Sequence, residues 1–177
     1  MNARHTADGA QHSVILSLGS NLGDREATIR DAVRAIGRID GVRLDAASGL
    51  VETPALKPDG VDDDAPAYLN AALAVLTTLE PEALLAQLNE VERDHGRVRA
   101  ERWGDRTLDI DIVTFDALEI DTERLTVPHP RAFERSFVLA PWLQIEPDAQ
   151  LPGRGRVDSL LAATAGDARP YATEALL

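Results

Sequence analysis

The 177 residues, 44% hydrophobic and 27% charged, suffice for one domain with a substantial core and have the balance of an ordinary globular protein. A formal net charge of -12, from 18 basic against 30 acidic residues, argues against nucleic acid as a general partner, because phosphate contacts drive that binding. The absence of cysteine excludes a disulfide framework and any thiolate ligand or nucleophile, and no apolar run approaches the ~18–20 residues that cross a bilayer.

Residues 1–13 are polar, lack the apolar stretch of a signal peptide and are expected to be a flexible leader, which makes the cytoplasm the expected location. Val14 to Leu18 reads as a short buried strand that runs into a turn at Gly19–Gly23. Asp24 is a good N-cap, and Ile29, Val33 and Ile36 follow at helical spacing until Gly41 closes the region. Val42 to Val51 mixes apolar and polar residues as a strand does. Thr53 to Pro66, with three prolines, Gly60 and three consecutive aspartates, is the most loop-like interval.

Tyr68 to Leu76 is a second apolar strand. Pro81 opens a helix whose Leu84, Leu85, Leu88 and Val91 share one face, and Gly96 ends it. A loop over Arg97 to Thr107 precedes a strand from Leu108 to Phe115. Thr122 to Pro130 is a connection, and Phe137 to Ile145 is an apolar segment of undetermined type. A last apolar face, Val157, Leu160 and Leu161, is followed by a tail over 166–177 without pattern. The order strand, helix, strand, strand, helix, strand predicts a ferredoxin-like α+β sandwich with a mainly antiparallel sheet, as a single domain over 14–165.

The chemistry concentrates between residues 93 and 111. Asp109 and Asp111 lie two apart on a strand, so they share a face roughly 6–7 Å apart. Two such acids repel unless a cation lies between them, and Mg²⁺ takes one or two carboxylates while filling its shell with water and phosphate oxygens. Just upstream are Arg93, Arg97, Arg99, Arg102 and Arg106, whose guanidinium groups match phosphate oxygens bidentately. The bland alternative is a solvated basic loop paired with Asp94, Glu101 and Asp105. The only lysine, Lys57, lies between Leu56 and Pro58, so no Walker-type phosphate loop exists.

Other residues carry weaker signals. Trp103, in a polar loop, is either a half-buried anchor or a stacking surface for a flat heterocycle. His129, between Pro128 and Pro130, is rigidly presented, either structurally or toward a phosphate, with Phe133, Arg135 and Phe137 following. Asn70 is either a strand-end cap or an amide that reads the edge of a nitrogen heterocycle.

Six islands together resemble the 6-hydroxymethyl-7,8-dihydropterin pyrophosphokinases of folate biosynthesis: Ser17–Arg25, Glu52–Pro54, Tyr68–Ala71, Gly96–Arg99, Arg102–Asp111, and Val127–Arg131 with Phe137. The resemblance covers residues 14–165 and implies a usually monomeric α-β-α sandwich. Such an enzyme transfers the terminal diphosphate of ATP to the pterin hydroxymethyl group and releases AMP. It implies two Mg²⁺ ions on Asp109 and Asp111, and triphosphate clamps at Arg97 and Arg106. It further implies an ATP side at Glu92, Ile112, Thr126, His129 and Arg135. The pterin pocket would comprise Gly19, Thr53, Pro54, Leu56 and Asn70, with the ring between Tyr68 or Phe137 and Trp103. Arg99 and Arg102 receive no role. An inactive pterin- or nucleotide-binding relative, and a metal-dependent nuclease or phosphatase, are the rival readings.

Overall fold

The computed structural model describes residues 11–57, 60–62, 66–96, 107–172 and 174–177. In chain order the elements are β1 (His12–Ser20), α1 (Arg25–Ile36), β2 (Val42–Ala47), β3 (Val51–Thr53), β4 (Ala55–Lys57), β5 (Gly60–Asp62), β6 (Tyr68–Thr77), α2 (Pro81–Asp94) and β7 (Asp109–Phe115). They continue with β8 (Ile120–Asp121), β9 (Thr126–Val127), a 3₁₀ turn (Ala132–Glu134), α3 (Ser136–Ile145), β10 (Gln150–Leu151), β11 (Gly155–Arg156), α4 (Val157–Ala162) and β12 (Arg169–Pro170).

β1 and β6 are buried along nearly their whole length because each has a strand on both sides and helices over both faces. A strand covered on both faces reads as a continuous apolar run. The sheet order is β12-β3-β6-β1-β7, with β2 also paired to β6, and every pairing is antiparallel. Reduced to the four predicted strands, β7 and β1 are neighbours, β6 follows, and the β2–β3 region lies beyond it. That is the expected ferredoxin-like arrangement, with helices on both faces.

Alternation along β1 sorts the core into two layers. Val14, Leu16 and Leu18 join Ile29, Val33, Leu84, Leu88 and Phe115 beneath α1 and α2. Ile15, Ala72, Ala74 and Val113 face the other way, onto Val138, Leu139 and Trp142 of α3 and Val157 of α4. α1 begins where Asp24 accepts the Ala27 N–H at 3.0 Å and buries Ile29, Ala32, Val33 and Ile36, one stripe at helical spacing. Pro81 starts α2, as its missing N–H requires no partner there.

Three differences from the sequence reading matter. The region 42–51 is two strands: Ala47 pairs with Leu73 and Val51 with Asn70, so four steps oppose three and a bulge intervenes at 48–50. Ser48 secures it through Ala72, donating its N–H to the Ala72 carbonyl and accepting the Ala72 N–H at its hydroxyl, each at 2.9 Å. The segment 137–145 is the helix α3, which carries Pro141 inside it and so forfeits one internal hydrogen bond. Finally, His12 and Ser13 belong to β1, and residues in the patternless tail form β12 against β3. Among the described residues, no helix is long and apolar enough to cross a membrane.

Candidate active site

The antiparallel register decides which side chains meet. Gly19 lies opposite Asp109 on one side and Asn70 on the other, and Ser17 lies opposite Asp111 and Ala72. Directly opposed residues project from the same face. Asp109, Gly19 and Asn70 therefore form one row across three strands, with Asp111, Ser17 and Ala72 behind it, all on the α3 side. Asn70 is buried and donates from Nδ2 to Thr53 Oγ1 at 3.1 Å, which extends the first row to β3. The bulge at 48–50 sets this register, and a slip of one residue would turn Thr53 to the opposite face. A methyl group on Gly19 would come within 2.9 Å of Asn70 Oδ1, so a larger residue there would displace the Asn70 amide.

The second wall comes from the connection between β9 and α3. The Val127–Pro128 bond is cis, and the His129 N–H donates to the Val113 carbonyl at 2.9 Å, tying this connection to β7. His129 Nε2 and Arg135 Nη1 each lie 3.7 Å from Asp111 Oδ2, at ion-pair rather than hydrogen-bond distance. The Arg131 N–H donates to His129 Nδ1 at 3.2 Å, so the neutral ring carries its proton on Nε2, facing Asp111. Burial, and then the Arg135 charge, lower the His129 pKa from 6.5 to about 4, with Asp109 opposing them. Burial likewise lowers the Arg135 guanidinium, against the pull of Asp111. The face thus presents two carboxylates, with one neutral N–H donor and one cation each 3.7 Å from Asp111 Oδ2. Arg135 also lies 5.5 Å from the centre of the Phe137 ring.

Glu92 reaches the site indirectly. It is buried on α2, and its Oε1 accepts the Ile110 N–H, the backbone link between the two aspartates, at 2.7 Å. The Ile112 side chain is in the core beneath α1 and α2, opposite the aspartate face, while its backbone lies on the edge strand β7. Thr126, in the β8–β9 hairpin, donates to Asp121 Oδ1 at 3.4 Å. Tyr68 and Pro54 are half-buried at the Thr53 end. Leu56 contributes backbone to β4, while its side chain, like Arg97, Arg99, Arg102, Trp103 and Arg106, lies outside the described residues.

The sequence reading assigned no role to Ser17, Arg25 or Glu52, although all lie in its islands. Ser17 is buried opposite Asp111, a position that alternation from Gly19 gives directly. Arg25 bonds Glu52 at 3.0 Å and the Ala67 carbonyl at 2.6 Å, and Asn21 Nδ2 donates to the Pro66 carbonyl at 3.4 Å. These contacts join the turn after β1 to the loop before β6, and no local pattern signals such pairings. Among the described residues, no cluster of three or more His, Cys, Asp or Glu side chains stands ready for a metal.

Comparison with known proteins is consistent across sequence and fold. The profile of the 7,8-dihydro-6-hydroxymethylpterin-pyrophosphokinase (HPPK) family matches residues 15–147. The 2-amino-4-hydroxy-6-hydroxymethyldihydropteridine pyrophosphokinase of Bacillus subtilis is 44% identical over 130 residues, 73% of this chain and 75% of that one. Its Pseudomonas aeruginosa counterpart is 41% identical over 150 residues, 85% and 90% of the two chains. Among solved structures, a Plasmodium falciparum HPPK-DHPS superposes with a TM-score of 0.67 at 12% identity, over 89% of this chain. The chain spans less than half of that protein, 46%, and at this identity the likeness concerns the fold alone.

Proposed function

The chain belongs to the 7,8-dihydro-6-hydroxymethylpterin-pyrophosphokinase family, and from the two walls of its α3-side face we propose where each substrate binds and which residues act. It is an ATP-dependent diphosphotransferase of folate biosynthesis: diphosphate passes from ATP to 6-hydroxymethyl-7,8-dihydropterin, giving AMP and the pterin diphosphate. The observation that carries the site assignment is the row Asp109, Gly19, Asn70 and Thr53 on one sheet face, with His129 and Arg135 set against Asp111.

We assign the polyphosphate to the β7 side. Two carboxylates without a fuller cluster of acidic or histidine ligands among the described residues suit Mg²⁺, which keeps substrate phosphates in its shell, and two such ions on Asp109 and Asp111 would neutralise the polyphosphate. His129, neutral at pH 7, donates its Nε2–H to a phosphate oxygen, and Arg135 adds a fixed charge. Arg97 and Arg106 complete the clamp, with Thr126 and the Ile112 backbone toward the base. Glu92 holds the peptide between the aspartates.

The pterin belongs on the β3 side. Asn70 and Thr53 supply the donor and acceptor edge that a pterin ring needs, and Gly19 lets the ring approach the sheet. Pro54, Leu56, Tyr68, Phe137 and Trp103 form the apolar walls. Diphosphoryl transfer asks the protein chiefly for in-line positioning and charge stabilisation, and this division of the face provides both. We read the enzyme as a cytoplasmic monomer.

The decisive measurement is AMP release from ATP, with and without the pterin alcohol and Mg²⁺. AMP formed only when all three are present supports the reading. ATP turnover indifferent to the pterin would overturn it, and pterin binding without AMP release would mark an inactive relative.

A further inference from the structure

The family match ends at residue 147, yet the chain beyond α4 returns to both walls assigned to the pterin. Asp167 Oδ1 accepts a hydrogen bond from the hydroxyl of Ser136. Ser136 is buried, begins α3, and stands between Arg135 and Phe137. Two residues after Asp167, Arg169 pairs with Glu52 and Pro170 with Val51, giving β3 a second neighbour. The Tyr171 N–H then donates to the Leu50 carbonyl at 2.9 Å. Farther on, the guanidinium of Arg30 on α1 donates to the Glu174 carbonyl at 2.7 Å and the Ala175 carbonyl at 2.8 Å. Tyr171 and Leu176 pack against the core beneath α1 and α2.

β3 needs this support. It is only three residues long and follows a bulge, so its pairing with β6 alone leaves one edge open and the register weakly held. Thr53, the residue bonded to Asn70, is its last member. Phe137 is one residue from the Ser136 hydroxyl. The same segment therefore fixes the strand on one side of the pocket and the helix start on the other, and its far end is anchored to α1, away from both.

We propose that residues 167–172 and 174–176 are a strap that positions the two pterin-facing walls, with Asp167 and Ser136 as positioning residues that touch no substrate. The proposal rests on the assignment of Thr53 and Phe137 to the pterin pocket. The strap acts chiefly on the pterin side, because its described bonds reach β3, the start of α3 and α1, and none reaches β7 or His129 itself.

Steady-state kinetics on the full chain and four variants tests this, with thermal unfolding of each measured in parallel. Asp167→Ala is expected to raise the pterin KM about fivefold, as for the loss of one hydrogen bond, while the ATP KM stays within about twofold. Asp167→Asn, which keeps an acceptor oxygen, restores the pterin KM. A chain ending at Gly166 shows the larger pterin effect, on the order of tenfold, since the β3 pairing is also lost. Should that truncation fail to fold, the two point variants decide alone. Equal changes in both KM values, or a lowered melting temperature with neither KM changed, would reduce the segment to a stabilising role and overturn the proposal. Phe137→Ala separates the premise from the inference: if it leaves the pterin KM unchanged, the pocket assignment fails. If it raises that KM while Asp167→Ala does not, only the strap fails.

Discussion

The two sides of the site are built differently. The acidic side comes from one short strand: Asp109 and Asp111 are two residues apart, share a face by alternation, and are held by an edge strand against β1. The side proposed for the pterin is assembled from β3, β6, the start of α3 and the C-terminal segment, pieces spread over more than a hundred residues. A side encoded locally needs little from the rest of the chain to place its groups. One assembled from distant parts depends on register, a bulge and a handful of long-range hydrogen bonds. Substitutions should therefore fall mainly on rate at the first side, and on pterin affinity together with stability at the second.

The sharpest break is Asp109→Ala. It should lower the Mg²⁺-dependent rate by on the order of 10³-fold or more, through lost charge stabilisation, while circular dichroism stays that of the folded protein. Near-normal turnover would remove the metal assignment.

Acid titration of the ligand-free protein gives the next largest effect. The folded state holds the His129 pKa near 4, and the unfolded value is 6.5. Below 6.5 the unfolded chain takes up a proton that the folded one refuses, so stability declines as pH falls from 6.5 toward 4. The limit is roughly 3 kcal/mol, from 1.36 kcal/mol per pH unit. In chemical denaturation at a series of pH values, His129→Gln should lose that part of the decline, and an unchanged profile would contradict the lowered pKa.

Glu92→Ala leaves the Ile110 N–H without its acceptor and should destabilise by about 1–3 kcal/mol, with a loss of rate as the aspartate strand loosens. Glu92→Gln, which retains an acceptor, should recover most of the stability. A fall in rate with Glu92→Gln but no change in stability would show that the charge itself acts on the nucleotide. Asn70→Ala completes the comparison: a pterin KM about tenfold higher with the ATP KM nearly unchanged is expected, and the reverse split would place Asn70 on the nucleotide side.

What could be read before the structure follows the same division. The strand at 68–76, the helix opened by Pro81 and the aspartate pair all announced themselves through periodicity and caps, signals confined to about ten neighbouring residues. The helix at 136–145 escaped because it is apolar nearly throughout and contains Pro141, which hides the helical period. The split of 42–51 into two strands escaped because a bulge depends on the opposing strand. Parity with Ile110 also turns the Ile112 side chain into the core, away from the aspartates.

Amino-acid order alone settled the first strands and helices through the aspartate strand in outline, the shared face of the two acids and the likeness to a pyrophosphokinase, because each depends on local periodicity or on short motifs. The tertiary structure decided what required partners far away. It placed Asn70 against Thr53, the Glu92 carboxylate under the Ile110 amide and Asp167 on Ser136, and it lowered the His129 pKa by burying the ring beside Arg135. Hydrogen bonds between residues distant in the chain, and the desolvation of a buried ring, arise only once the sheet has closed, and no local pattern encodes them.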